Sequence, residues 1–300
     1  MTNKPIDPTQ TELYKLLRSF AKSFLFVGLF SMFINLLMLV PPLYMLQVYD
    51  RVMTSRSGET LLMLTLILVW LFITMGLLEF VRSRILIRLG SRFDAQLSTR
   101  LYQAMMGSAL RHPGEGGSQP VNDMNSVRQF LSGNAPFAFF DTPWIPVYLA
   151  LLFLFHPLLG WFSIFAALVL AALAVANEVS TRSHNQQAAS ANIHSNSMVD
   201  AQLNNAEVLH AMGMQNVLQE RWLKSHVDGL KAQAEASERA GIWMNLSKTL
   251  RMLFQSLMLG LGAYLAINNE MTAGMVIAGS ILMGRALAPV DQIINTWKQY

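Results

Sequence analysis

Long stretches without a single Asp, Glu, Lys or Arg constrain this chain more than any other feature: Ser23 to Tyr49, Thr60 to Leu78, Thr142 to Asn177, Met252 to Asn269 and Met271 to Gly284. A helix crosses the hydrocarbon layer of a bilayer, about 30 Å thick, with about 20 apolar residues at about 1.5 Å each. The first, second and fourth stretches each match one crossing. The third is too long for one and holds His156-Pro157 near its middle, so it is expected to fold as a hairpin. Its first arm borrows Phe137 to Phe140, which places Asp141 near the membrane interface. The last stretch becomes a crossing by continuing through Arg285 to residue 290. The predicted fold is an all-α membrane protein of six spans, near 23–49, 60–78, 137–155, 158–177, 252–269 and 271–290.

Composition agrees, since only 13% of residues are charged where a soluble domain has about 25%. The first span is too long for the apolar core of a cleaved signal peptide and no small-x-small site follows it. Pro41-Pro42 removes two backbone donors and should kink that span near its far end. Of the 22 Lys and Arg residues only Arg51 and Arg56 fall on the far side of this topology. The positive-inside rule then places both termini and both long connections in the cytoplasm. The outward connections are short: Asp50 to Glu59, the His156-Pro157 tip and Asn268 to Glu270. The same asymmetry accounts for the isoelectric point near 9.4, so nucleic-acid binding is not expected. Residues 1–22 form a cytoplasmic N-terminal segment, in which 9–22 read as a short interfacial helix.

The two long connections read as helix. In the first, Ile85, Leu89, Phe93, Leu97, Leu101 and Met105 recur every fourth residue beside a row of Arg84, Arg88, Arg92, Gln96 and Arg100. Continued from the second span, this helix reaches Leu110, and the cluster Pro113-Gly114-Glu115-Gly116-Gly117 stops it. A short segment, Pro120 to Phe130, leads back to the third span. The second connection is rich in Asn, Gln, Ser and Ala and is interrupted at Met212-Gly213-Met214. Twice, then, the chain leaves the membrane, turns at a short segment and returns.

Several chemistries are excluded. The chain has no Cys, no H-E-x-x-H, no G-x-S-x-G and no Gly-Lys dipeptide, so thiolate chemistry, those hydrolase motifs and a Walker A loop are missing. No two of its six His stand four apart, so metal ligation is not expected. No catalytic or cofactor residue is identified. The spans lack the Asp, Glu or His that proton- or ion-coupled carriers keep at depth, and Arg285 reads as a helix-end cation. The pairs Gly262/Ala266, Gly274/Ala278 and Gly284/Ala288 permit close helix packing.

Four strings carry a more specific resemblance: PPLYMLQVYDRVMTSRS (Pro41 to Ser57), VRQFLSGNAPFAFFDTPWIPVYLALLFLFHPLLG (Val127 to Gly160), NAEVLHAMGM (Asn205 to Met214) and ILMGRALAPVDQ (Ile281 to Gln292). Six spans and two long helical connections resemble the transmembrane half of a type 1 ABC exporter. The strings are similar to the permease/ATPase subunits of type I secretion, in the branch exporting metalloproteases, lipases and haem-acquisition proteins. The resemblance implies an ABC exporter type 1 transmembrane domain over 23–300, moving unfolded protein with a C-terminal signal out of the cytoplasm of a bacterium. It implies a homodimer in the inner membrane, a periplasmic adaptor protein and an outer-membrane tunnel protein. ATP and Mg would be bound by a nucleotide-binding domain, which these 300 residues do not contain; truncation is expected, with a separate ATPase polypeptide as the alternative. Asn122, Asp123, Met124 and Arg128 fall where such exporters have their first coupling helix, and Glu207, Met212, Gly213 and Met214 where they have the second. The alternatives are an ABC exporter of a small molecule, lipid or peptide, and a non-transporting scaffold or sensor subunit.

Overall fold

The computed structural model describes residues 12–111, 119–133 and 135–297. The Pro113 to Gly117 cluster, residues 1–11 of the N-terminal segment and residues 298–300 lie outside the described residues. Every regular element among those described is helical. In order they are α1 (Glu12–Leu37), α2 (Val40–Gln47), a π-helical segment (Val48–Val52), α3 (Met53–Ser55), α4 (Gly58–Arg111), α5 (Gln119–Ser132) and α6 (Ala135–Asp141). A 3₁₀ turn (Thr142–Trp144) then leads into α7 (Ile145–Phe155), α8 (Pro157–Asn204), α9 (Ala206–Ala211), α10 (Gln215–Ile267) and α11 (Ala273–Trp297). Among the described residues, five helical stretches are long and apolar enough to cross a membrane: Phe20–Ser55, Gly58–Arg111, Pro136–Phe155, Pro157–Asn204 and Gln215–Ile267. Ala273–Pro289 is a shorter apolar helix.

The structure adds detail to three sequence expectations. No separate interfacial helix occupies the described part of 9–22, because α1 runs unbroken from Glu12 into the first apolar stretch. The first span breaks at Met38-Leu39 rather than at the prolines themselves. A proline collides with the carbonyl four residues back and leaves it without a donor, so Pro41 and Pro42 act on Leu37 and Met38; the pair itself sits in the first turn of α2, where a missing N–H costs nothing. Finally, the short connection Asp50 to Glu59 is itself largely helical: helical structure persists through Ser55, and the chain reverses at Arg56, which adopts the left-handed conformation (φ 53°), and Ser57.

The hairpin at His156-Pro157 forms as its residues dictate. His156 is extended (φ −163°, ψ 137°), the conformation that a following proline favours, and Pro157 opens α8. Beyond the membrane-length portions, α4, α8 and α10 continue to 54, 48 and 53 residues, lengths of about 70–80 Å.

The chain divides into two compact units. One comprises Met1–Asp94, Val127–Ser163 and Gln255–Pro289. Its core is apolar, with Val27, Ile34, Leu86, Tyr148, Leu152, Leu159, Met258, Leu265 and Leu287 almost fully buried. Small residues set several approaches: a Cβ at Gly262 would lie 2.8 Å from Val276, and one at Gly160 would lie 2.4 Å from the Phe153 ring. The apolar 18-residue window of α4 has none of its residues buried. Leu66, Trp70 and Leu77 project outward from it, which suits hydrocarbon rather than water.

The other unit comprises Ala95–Ser126, Ile164–Phe254 and Val290–Tyr300. Here α8 and α10 run antiparallel. Phe165 meets Phe254 edge to face at 6.1 Å, and a Cβ at Gly229 would lie 3.2 Å from Ala191. The buried residues of this unit are small or polar: Asn177, Thr181, Ser195, Ala236, Ala240 and Ser247. Such a seam brings backbones close together but removes little apolar area from water.

Candidate functional site

Three groups of residues stand out. The first holds the expected coupling residues. Asn122, Asp123 and Arg128 lie exposed on α5, and Met124 is half-buried there. Gln119 Nε2 donates to Asp123 Oδ1 at 2.9 Å, one turn along, and Ser126 Oγ donates to the Asn122 carbonyl at 3.0 Å. α5 begins at Gln119 and runs to Ser132, a little longer than the Pro120 to Phe130 segment expected. Its last turn packs on α4, where a Cβ at Gly90 would collide with the Ser132 hydroxyl.

The second coupling segment is a compact turn. Asn205 leaves helical geometry, α9 makes a turn and a half, and Gly213 takes φ +65°. The Met214 N–H donates to the Leu209 carbonyl at 3.1 Å and the Gly213 N–H to the His210 carbonyl at 3.0 Å. Those two bonds define a Schellman cap, which needs a residue able to adopt positive φ at this position. Gln215 Nε2 lies 2.8 Å from His210 Nδ1 and ties the cap to the start of α10. Glu207, Met212 and Gly213 are exposed and Met214 is half-buried. Exposed Leu203, Val208, Met212 and Val217 surround the turn. Among the described residues, no hydrogen bond or ion pair joins the 122–128 segment to the 207–214 segment.

The second group was not anticipated. Asn35, Arg82 and Asp141 come together with Ser31 and Tyr148 as a buried polar clasp, each of the five no more than 7% exposed. Asn35 Nδ2 donates to Asp141 Oδ1 at 2.7 Å and to the Ser31 carbonyl at 2.9 Å. Arg82 Nη1 donates to Ser31 Oγ at 3.0 Å and reaches Asp141 Oδ1 at 3.4 Å. The Tyr148 hydroxyl lies 3.0 Å from Asn35 Oδ1 and 3.1 Å from its carbonyl, donating to either. The guanidinium also sits 4.0 Å over the Phe137 ring, a cation–π contact strengthened by desolvation. Arg82 and Asp141 therefore do not sit as wet interfacial charges. Arg82 Nε has no partner among the described residues, so the pair is compensated incompletely; removing either charge should cost about 3–5 kcal/mol, because the other stays buried and unpaired.

The third group joins the three short connections. Asp50, on the π-helical segment, accepts from Thr272 Oγ1 at 2.6 Å and from the Gly274 N–H at 2.9 Å. It thereby caps the first turn of α11, where a carboxylate is favoured. A Cβ at Gly274 would sit 2.6–2.8 Å from that carboxylate, so glycine is required for the contact. His156 Nε2 lies 3.1 Å from Glu270 Oε2. The Leu158 N–H donates to His156 Nδ1 at 3.2 Å, which fixes the proton on Nε2. The Asp50–Thr272 bond is exposed and the Asp50–Gly274 bond part-buried, while the His156 and Glu270 side chains are 20% and 50% exposed. Arg285, by contrast, is half-buried and directs Nη1 at Met38 Sδ, 3.8 Å away.

No group of three or more His, Cys, Asp or Glu able to hold a metal occurs among the described residues.

Residues 24–289 match the ABC transporter transmembrane region family, and the chain belongs to that family. Among named relatives, it is 38% identical over 283 residues to the type I secretion system ATP-binding protein PrsD of Rhizobium meliloti (strain 1021). That match takes in 94% of this chain and 49% of the relative. It is 23% identical over 275 residues to the alpha-hemolysin translocation ATP-binding protein HlyB of Escherichia coli, across 90% of this chain and 39% of that one. The chain thus spans about half or less of the length of these relatives. A solved bacterial Atm1-family ABC exporter with ATP bound superposes with a TM-score of 0.76 at 12% identity, over 94% of this chain and 51% of that one. The fold is therefore the all-α transmembrane fold of ABC exporters.

Proposed function

We propose that this chain is the transmembrane portion of an ABC exporter of type I secretion, which moves unfolded protein with a C-terminal signal across the bacterial inner membrane. The observation that carries the reading is the 38% identity to a type I secretion protein across 94% of the chain. The exposed, Schellman-capped turn after α9 and the exposed residues of α5 support it.

In this reading the protein is a homodimer whose motion is driven by ATP and Mg in a nucleotide-binding domain, fused or separate. Asn122, Asp123, Met124 and Arg128 dock on that domain from one turn, and Glu207, Met212, Gly213 and Met214 from the other. Both termini and both turns are cytoplasmic, and the hairpin end at Asp50, His156 and Glu270 faces outward. A periplasmic adaptor and an outer-membrane tunnel protein complete the path. The outward placement is supported by the sparse charge there, only Arg51 and Arg56 of 22 basic residues.

The test is the intact mass of the native gene product, purified from its own membrane, beside an ATPase assay on the same sample. A polypeptide longer by one domain, roughly 100–250 residues, that hydrolyses ATP agrees with a fused exporter. A mass of 33.6 kDa, with no ATPase partner recovered from the membrane, overturns the reading.

A further inference from the structure

We propose that α4 carries a binding site for an anionic phospholipid: Arg84 and Arg88 hold the headgroup phosphate, and an acyl chain lies along Trp70, Ile73, Leu77 and Phe80. The inference goes beyond the exporter reading and requires only that α4 crosses the bilayer. Three observations carry it.

The first is a continuous face. At about 100° per residue, Trp70, Ile73, Leu77, Phe80, Arg84 and Arg88 fall within one sector of α4 roughly 80° wide. The four apolar members are between 58% and 66% exposed, and both arginines are exposed. Apolar surface therefore passes straight into basic surface on one side of the helix. A ligand that matches both parts has a hydrocarbon tail and an anionic head. Arg82 lies on the opposite side of the helix and is already engaged with Asp141.

The second is depth and direction. The uncharged stretch of α4 ends at Leu78, and the headgroup layer extends about 5–8 Å beyond the hydrocarbon. Arg84 follows Leu78 by six residues, about 9 Å of helix. Helical side chains lean towards the N-terminus. Because α4 leaves the membrane here in the N-to-C direction, its cations lean back towards the bilayer. Arg84 shows that lean, its guanidinium lying 5.8 Å from the centre of the Phe80 ring one turn earlier. The same reach brings Arg88, a turn further out, to the edge of the headgroup layer.

The third is charge without a counterion. Arg84, Arg88 and Arg92 stand at four-residue steps, so each repels the next across one turn. No Asp or Glu stands three or four residues from any of them. Among the described residues no ion pair reaches them either. A phosphate between Arg84 and Arg88 relieves the repulsion, and guanidinium forks bind phosphate through paired hydrogen bonds. Arg92, a further turn out, adds attraction over a Debye length.

The test counts lipids retained by the native gene product in detergent, using native mass spectrometry, during titration with dioleoylphosphatidylglycerol or dioleoylphosphatidylcholine. Wild type should bind the anionic lipid about thirtyfold more tightly, a factor of about five for each arginine. Arg84→Gln with Arg88→Gln should bring the two lipids within about threefold of each other. Arg84→Lys with Arg88→Lys should keep a preference of about tenfold, the charge remaining while the fork is lost. Arg111→Gln with Arg221→Gln removes the same charge from exposed positions elsewhere and should change nothing. Dihexanoylphosphatidylglycerol, with the same head on short chains, should bind at least about tenfold more weakly.

Equal affinity of wild type for the two long-chain lipids overturns the site, as does an unchanged preference in the glutamine variant. Short-chain lipid bound as tightly as long-chain lipid leaves an anion site without an acyl seat and overturns the lipid. A disulfide between two copies of Arg88→Cys shows the face covered by protein and overturns it as well. The wild-type preference is read without any variant, so a variant that misfolds leaves the test decisive. No step uses ATP, so failure of this site and failure of the exporter reading, judged by ATPase activity, are told apart.

Discussion

The clasp and the hairpin end use the same chemistry, a carboxylate held by donors from distant helices, in opposite surroundings. Asp141 is 7% exposed and meets Asn35 and Arg82 inside the protein. Asp50 meets Thr272 and Gly274 where solvent reaches. Burial turns the first into a junction that must be complete or absent. Partial exposure turns the second into a contact whose hydroxyl partner water can replace at little cost. What a polar group does is decided by whether water can replace its partner.

The sharpest way to break this comparison is Asp141→Ala. It strands the Arg82 charge in the core and should destabilise the protein by about 3–5 kcal/mol, read as a large drop in melting temperature in detergent. Replacing both charges, Arg82→Met with Asp141→Leu, should recover most of that loss, because no ion is left unpaired. If the double variant melts as low as the single, the clasp is not governed by desolvation. Second in size is Gly90→Ala, which drives a methyl into Ser132 and the Arg128 carbonyl. It should cost about 1–3 kcal/mol, eased by adding Ser132→Ala; equal melting with wild type would refute the packing.

A smaller loss is expected from Gly213→Ala, about 1 kcal/mol for an L-residue at positive φ, with Gly213→Asn milder. Gly213→Pro and Asp123→Arg should lower export per ATP hydrolysed while leaving membrane insertion intact, measured as secreted protein against phosphate release. Normal coupling in both variants counts against the assignment of the two turns. Smallest is Glu270→Gln, worth no more than about 1 kcal/mol and vanishing as salt rises. A larger, salt-independent loss would make the hairpin end another clasp and erase the contrast.

The helical architecture was largely legible, because missing charges mark membrane helices more strongly than any other sequence signal. Gly213 was legible as a turn for a similar reason, since a glycine between two methionines interrupts a helical pattern. The clasp was not. Arg82 and Asp141 stand 59 residues apart, each at the border of an apolar stretch, where a charge reads as interfacial. Asn35 gave the one available signal, a lone amide between Ile34 and Leu36 that needs partners once buried. The joint at Met38-Leu39 was placed a few residues late, because a proline's effect falls on the turn before it.

One feature of α4 reaches beyond the protein. Its apolar window contributes nothing to the core of its own subunit, and its buried residues begin only at Arg82. The Tyr44–Thr65 hydrogen bond at 3.0 Å ties this crossing to the first span, and its exposed residues present an apolar face suited to lipid. A helix with such a face adjusts its tilt to the acyl layer around it, and Arg82 of the clasp stands at the end of that apolar stretch. Acyl-chain length in the host membrane should therefore act on this subunit as an allosteric ligand does, altering turnover without occupying a site.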